Sequence, residues 1–138
     1  MPRLVVYGEG PERAALTRLA SELGVESRVD FRPFLRGDAL VAEARNASVV
    51  VVPSRWEEPG ATIGVELFAC GVPVIVAARG ALGEIFADGG RLFSNGDIQS
   101  LTRELVDHFR SGPRYPNPAK SHAWDIASIR RGVLEMIR

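Results

Sequence analysis

Along the chain, short apolar runs alternate with stretches in which apolar residues recur every three or four positions. "RLVVY" (3–7), "RVDF" (28–31), "SVVVV" (48–52) and "VPVIVA" (72–77) are rich in β-branched residues, bounded by Gly, Pro or polar positions, and too short for helices. They predict strands. Between the first two, "PERAALTRLASELG" sets Ala15, Leu16, Leu19, Ala20 and Leu23 at helical spacing, with Pro11 near the first turn and Gly24 at the close. "DALVAEARNA" (38–47) predicts a second amphipathic helix with Asp38 as its N-cap, and "IGVELFACG" (63–71) a third, stopped by Gly71. Three of the strands carry almost no polar residues, so both of their faces should be covered. Strands and helices alternating in this way specify an α/β fold: a Rossmann-like three-layer domain with a parallel sheet flanked by helices.

The last third differs in texture. "ALGEIFADGGRLFSNGD" predicts a short helix, a turn through Asp88, Gly89 and Gly90, a short strand over Arg91 to Phe93, and Asp97 as the cap of the helix "IQSLTRELVDHFRSG". "GPRYPNPAKS" (112–121) holds three prolines and no periodicity and reads as a loop; a final amphipathic helix is expected over about 124–138. The organisation expected is a Rossmann-like domain over 1–111, a Pro-rich loop over 112–121 and a C-terminal helix over 122–138. There is no internal repeat.

Composition narrows the function classes. With 138 residues, 46% hydrophobic and 25% charged, the chain has the size of one globular domain. Its 17 basic and 17 acidic residues cancel, so no overall field draws it to nucleic acid or an anionic membrane. Cys70 is the only cysteine, which excludes an internal disulfide and a Cys-rich zinc site; it reads as a buried small residue. No apolar run approaches the ~20 residues of a membrane span, and "MPRLVVYGEG" is too weakly apolar for a signal peptide, so a cytoplasmic location is expected.

In an open parallel sheet, ligands sit where the strands end and the helices begin. Two such loops stand out. In "YGEGPE", Gly8 and Gly10 either let backbone approach a ligand or simply make the turn; the third glycine of a dinucleotide fingerprint falls on Arg13, and Asp30 lies inside its strand instead of ending it, which sets aside an NAD-dependent oxidoreductase. Lys120 is the only lysine, so the lysine of a phosphate-binding P-loop is missing as well.

The other loop, "PSRWEEPGATIG", leads into the third helix, where Gly60, Ala61, Thr62 and Ile63 would present unpaired N–H groups at a positive helix end suited to a diphosphate. Glu66 lies about one turn into that helix, where a carboxylate can accept hydrogen bonds from two vicinal hydroxyls of a ribose. Glu58 stands eight residues earlier, at the mouth of the loop. A phosphate between two carboxylates, one facing a ribose and the other a second polyol, is the layout of a nucleotide sugar.

The stretch "PSRWEEPGATIGVELFACGVPVIVAARGALGEI" resembles the central motif of family 4 of the GT-B glycosyltransferases, through Pro53, Ser54, Glu58, Glu66, Cys70, Gly71, Pro73, Val74, Gly80 and Glu84 in order and at the family's spacing. The resemblance runs from about Arg3 to Arg110. It implies the C-terminal, donor-binding domain of a retaining enzyme that transfers a hexose from a nucleotide-diphosphate sugar to an acceptor. Glu58 would contact the transferred sugar as the catalytic carboxylate, Glu66 the ribose, Glu84 a region near the donor, and Phe34 and Leu35 the base, largely through backbone.

No metal and no cofactor beyond the donor is implied, because helix dipole and basic residues take their place. The remaining partner implied is an N-terminal acceptor-binding domain of the same enzyme; peripheral membrane association of the full enzyme is compatible with the resemblance, and no nucleic acid is implied. The chain departs from the motif at Gly60-Ala61, where the family has Phe-Gly, and at Leu67, where it has Ala. The family's domain also begins with a strand and helix carrying an Arg and a Lys for the diphosphate, which are not in this sequence, so the isolated chain is expected to be inactive.

Plainer roles account for other candidates. Glu57 reads as a solvated surface residue, Trp56 as packing, Arg103, Glu104 and Asp107 as a salt-bridged helix surface, and Glu84 could merely cap or solvate its helix. His108 and His122 lack the company of a nucleophile or metal ligands. The alternative to an enzyme is a non-catalytic Rossmann-like module that binds a nucleotide or docks on a protein.

Overall fold

A computed structural model describes residues 2–55, 62–80, 82–86 and 89–115. In chain order the elements are β1 (Leu4–Tyr7), α1 (Arg13–Glu22), a 3₁₀ turn (Glu26–Arg28), β2 (Val29–Arg32), α2 (Gly37–Asn46), β3 (Val50–Val52), α3 (Thr62–Ala69), β4 (Val74–Ala78), α4 (Leu82–Ile85), β5 (Arg91–Ser94) and α5 (Ile98–Ser111). Every strand pairing is parallel. The helix expected over 124–138 and most of the Pro-rich loop lie outside the described residues. The chain divides into two compact units, one up to Ala42 and the other from Glu43.

In the smaller unit β1 and β2 run side by side in register from Leu4 opposite Val29 to Tyr7 opposite Arg32. α1 ends as its sequence predicts: Gly24 takes φ +65°, and the N–H groups of Gly24 and Val25 donate to the carbonyls of Ser21 and Ala20. That pair of bonds satisfies the last helical carbonyls. Coverage of both sheet faces is not found here. Leu4 and Val5 of β1 are 54% and 38% exposed, and Leu16, Leu19 and Leu23 are exposed too. A sheet of two strands does not enclose its central positions as a larger sheet does. Asp38 is also placed differently from expectation: α2 begins at Gly37, which puts Asp38 inside the first turn, where its charge suits the helix dipole.

The larger unit holds the core. Its sheet has the order β3-β4-β5, so β4 has a parallel neighbour on each side. Val74, Ile75, Val76 and Ala77 of β4 are all buried, and because successive side chains point to opposite faces, both faces of this strand are covered. Ile75, Ala77 and Phe93 form one cluster, closed by Val49 and by Leu101 and Leu105 of α5. α3 and α4 pack on β4, contributing Leu67, Phe68 and Leu82, and the rings of Phe68 and Phe86 meet at 5.1 Å.

α3 is stopped at Gly71, where φ is +77° and the N–H groups of Gly71 and Val72 close on the carbonyls of Phe68 and Leu67. Cys70, expected to be buried, is half-buried at this helix end. α5 is capped by Asp97, whose carboxylate accepts from the N–H of Gln99 (2.9 Å) and Ser100 (3.0 Å), as the sequence predicts.

The approach to β5 is closely packed at Gly90. Gly90 donates its N–H to the Phe86 carbonyl at 3.1 Å, and a Cβ added to it would stand 2.9 Å from both that oxygen and the Phe86 Cβ. Neither the backbone nor the fully buried Phe86 can move aside cheaply. Gly90→Ala is therefore expected to destabilise the protein by about 1–3 kcal/mol. Gly83→Ala in α4 meets nothing within 4 Å and should be neutral or slightly stabilising. Urea denaturation of both variants checks the contrast.

Candidate functional site

Parallel pairing brings the carboxyl ends of β3, β4 and β5 to one edge of the larger unit's sheet, and the chain there turns into α3, α4 and α5. α3 starts at Thr62 and is eight residues long. Its first-turn N–H groups, those of Thr62 and Ile63 among them, have no carbonyl a turn earlier in the helix to accept them. Ile63 is 37% exposed, and Glu66, three residues on, is exposed as well, whereas Gly64, Leu67 and Phe68 are buried. The helix thus turns its apolar side to the sheet and leaves the Glu66 carboxylate in solvent about one turn from the amino end. Asn95, following β5, donates from Nδ2 to the carbonyl oxygen of Arg55, following β3, at 3.5 Å. Glu58, Gly60 and Ala61 lie outside the described residues, as do Trp56 and Glu57; Glu84 falls within α4.

The smaller unit shows the same polarity at its own carboxyl edge. Gly8 takes φ +128° and extends the ladder by donating to the Arg32 carbonyl at 3.0 Å, and the Gly10 carbonyl accepts from Arg13 at the start of α1. No atom lies within 4 Å of a Cβ built on either glycine, so the left-handed backbone of Gly8, and not crowding, is what requires glycine there. Beyond β2, Phe34 is 62% exposed with the Arg36 guanidinium 5.1 Å from its ring centroid, and Leu35 is half-buried. Gly8, Gly10, Phe34 and Leu35 therefore share one edge. Arg32 bonds to Asp30 (2.7 Å) and to the Tyr7 hydroxyl (3.2 Å), and these bonds raise its pKa.

Sequence reasoning missed a buried cation. Arg91 opens β5, is only 3% exposed, and is held by Asp107, by Glu104 at 3.4 Å and by the Gly112 carbonyl at 3.4 Å. Glu104 and Asp107, expected to form an ion-paired helix surface, instead turn toward the strand. The hydrogen bond from Arg91 and a second from Ser111 hold the Asp107 carboxyl below the usual carboxylate range. The signal available in the sequence was an arginine opening an apolar strand with two acidic residues three apart on the next helix.

One turn along α5 from Glu104, His108 is 4% exposed and meets Phe109 edge to face. Burial pushes its pKa down, a hydrogen bond to the Ser48 backbone works against that, and the charge of Arg91 pushes down further. His108 also lines a cleft of about 430 Å³ with Arg45, Ser48, Val72, Pro73 and Tyr115. That cleft lies where β3 and β4 begin, at the opposite edge from Glu66. Among the described residues no cluster of three or more His, Cys, Asp or Glu could hold a metal ion, and no helix is long and apolar enough to cross a membrane.

The family model for the glycosyl transferases of group 1 matches residues 2–121. The chain belongs to this family. It is 35% identical to a D-inositol 3-phosphate glycosyltransferase of Mycobacterium bovis, in an alignment that covers 96% of this chain and 32% of that protein. Two solved structures share the fold. The lipopolysaccharide outer core galactosyltransferase WaaB superimposes with a TM-score of 0.81 at 17% identity, covering 98% of this chain and 40% of that one. Anabaena Alr3699/HepE, solved in complex with UDP and glucose, gives 0.72 at 21% identity, again over 98% and 40%. The chain spans about a third of the length of that curated relative.

His108 gives the chain a defined response to acid. Its folded pKa lies below the ordinary value of about 6.5, so the unfolded chain takes up the proton first and stability falls as pH drops from about 6.5 toward and through the folded value. Asp107, also held below its unfolded value, adds a second loss at lower pH, in the carboxylate range. The urea midpoint of the protein should be flat above about pH 7 and decline below it. In His108→Gln the decline should begin only in the carboxylate range.

Proposed function

We propose that this glycosyltransferase chain is the donor-binding half of a retaining hexosyltransferase of GT-B architecture, acting on a nucleotide-diphosphate sugar. The observation that carries the reading is the exposed Glu66 carboxylate about one turn from the amino end of α3, at the carboxyl edge of a parallel sheet, with Glu58 eight residues before it in the chain. The diphosphate sits at the N–H groups of Gly60 to Ile63, the ribose hydroxyls donate to Glu66, and the sugar hydroxyls are oriented by Glu58. As the bond from the anomeric carbon to the diphosphate breaks, negative charge gathers on the departing phosphate, and the helix end stabilises it. Phe34 and Leu35 receive the base, with Gly8 and Gly10 at the same edge of their own unit. Glu84 lies near the donor.

The 35% identity to a D-inositol 3-phosphate glycosyltransferase and the fold shared with a structure holding UDP and glucose support the donor class. Transfer requires an acceptor-binding domain as partner. The exposed Leu4 and Val5 of β1 and Leu16, Leu19 and Leu23 of α1 support a further strand and helix of the same polypeptide packing on the smaller unit.

Two carboxylates that read opposite ends of one ligand separate kinetically. In the full-length enzyme, Glu58→Ala is expected to lower kcat with the sugar donor while leaving affinity for the bare nucleoside diphosphate nearly unchanged, because that product has no sugar to hold. Glu66→Ala should damage both. If Glu58→Ala weakens the bare diphosphate as much as the sugar donor, or leaves turnover untouched, the assignment of Glu58 is wrong.

The ribose clamp has its own measurement. Glu66→Gln removes the charge from two hydrogen bonds and should weaken nucleoside diphosphate binding by about 1.5–3 kcal/mol in a calorimetric titration. A 2′,3′-dideoxy nucleotide should bind Glu66→Gln and the unmodified protein alike.

A further inference from the structure

α5 is apolar on two sides. Its inner side sets Leu101 and Leu105 against the cluster of Ile75, Ala77 and Phe93 and buries His108. On its outer side Ile98 is 80% exposed, Phe109 50% and Val106 42%, and Thr102 among them is exposed as well. At about 3.6 residues per turn these four fall within about 80° of one another and make a row about 16 Å long. Past the helix end, Tyr115 is 58% exposed and stands with Phe109 at the His108 cleft, so the strip continues beyond α5.

The charge beside this row has one sign. Arg103 and Arg110 lie in the next sector of the helix, about 20° from each other around its axis. Both are exposed, and among the described residues neither forms an ion pair. α5 does carry two acids, but Glu104 and Asp107 are engaged by the buried Arg91 of β5. Arg114, whose charge is felt at Asp107, adds a third guanidinium just past the helix. Burying Arg91 therefore has an outward consequence: the groups that would balance Arg103 and Arg110 are already committed, and a basic, apolar surface stands on a chain whose net charge is zero.

Single exposed apolar residues are ordinary on a protein surface, whereas a continuous strip flanked by unpaired cations marks a contact. A second copy docked antiparallel through the same row would bring both arginine flanks to one side of the contact, where like charges repel. An anionic bilayer suits both features. Its headgroup region accepts aliphatic and aromatic side chains, and its phosphates attract guanidinium groups without demanding a fixed hydrogen-bond pattern.

We propose that the outer face of α5 docks on an anionic membrane surface, with Ile98, Val106 and Phe109 entering the headgroup region and Arg103 and Arg110 pairing with lipid phosphates. The surface is separate from the donor site and does not rest on the reading of Glu58 and Glu66.

The test is sedimentation of the full-length enzyme with lipid vesicles. Vesicles of phosphatidylcholine with about 30% phosphatidylglycerol should bind the enzyme roughly tenfold or more above phosphatidylcholine alone, and about 0.5 M NaCl should weaken that binding. Arg103→Gln with Arg110→Gln should lower partitioning onto the anionic vesicles by roughly tenfold or more, because each removed charge is worth about fivefold. Ile98→Ser with Val106→Ser should also lower it, by roughly fivefold or more. Both pairs are on the surface, so the thermal midpoint should stay nearly unchanged. Arg3→Gln with Arg18→Gln removes the same charge away from α5 and should keep wild-type binding. Failure of the wild-type enzyme to bind anionic vesicles overturns the proposal, whatever protein the face then meets. Wild-type partitioning by both α5 pairs, or an equal loss in the Arg3 and Arg18 pair, overturns it as well.

Discussion

The parallel pairing of β4 with a strand on each side is the constraint on which the larger unit depends. A strand in that position has its backbone groups committed to two ladders and its side chains committed to two covered faces, so Val74 to Ala77 have no polar member and no exposed one. Parallel neighbours also cannot be joined by a tight turn. Each connection must carry the chain back along the sheet, which is why α3 and α4 lie between β3, β4 and β5 and pack on β4. The same geometry gives the sheet two unlike edges. Helix amino ends gather at one of them, and the exposed Glu66 belongs there.

Burying Arg91 in this core demands an answer to its charge. Its backbone pairs opposite Ile75, in the centre of the unit, and a lone guanidinium there would be costly. Asp107 and Glu104 supply the counter-charge from α5, and Gly112 adds a carbonyl just past the helix end. One Arg91 nitrogen, Nε, has no partner among the described residues. The far end of α5 is thereby tied to the start of β5, while Asp97 and Ser100 tie its near end to the finish of the same strand. The helix that covers Ile75, Ala77 and Phe93 is in this way also what holds the turn through Asn95.

The polarity of the sheet sets the exposed Glu66 and the cleft beside His108 at opposite edges of the larger unit. The cleft of about 430 Å³ beside His108 is lined by residues that precede β3 and β4 and by residues at the end of α5, and burial there pushes the histidine pKa down. The edge that carries Glu66 is the one where β3, β4 and β5 end and helices begin.

Much of this was legible in the residues themselves. The β-branched runs located β1 to β4 to within a residue or two, Asp97 was recognisable as a cap, and Gly24 and Gly71 as helix stops, because each depends on neighbours close in the chain. The spacing from Pro53 to Glu84 likewise identified the family without any coordinates. The tertiary structure decided what local patterns do not encode. Leu4 and Val5 look as apolar as the residues of β4 but lie exposed in a two-stranded sheet, since burial depends on how many strands stand alongside. Asp38 follows the first residue of α2 instead of preceding it. Glu104 and Asp107 share a helix with Arg103 yet answer a charge thirteen and sixteen residues away, because electrostatic attraction acts through space, while periodicity reports only the chain's own turn.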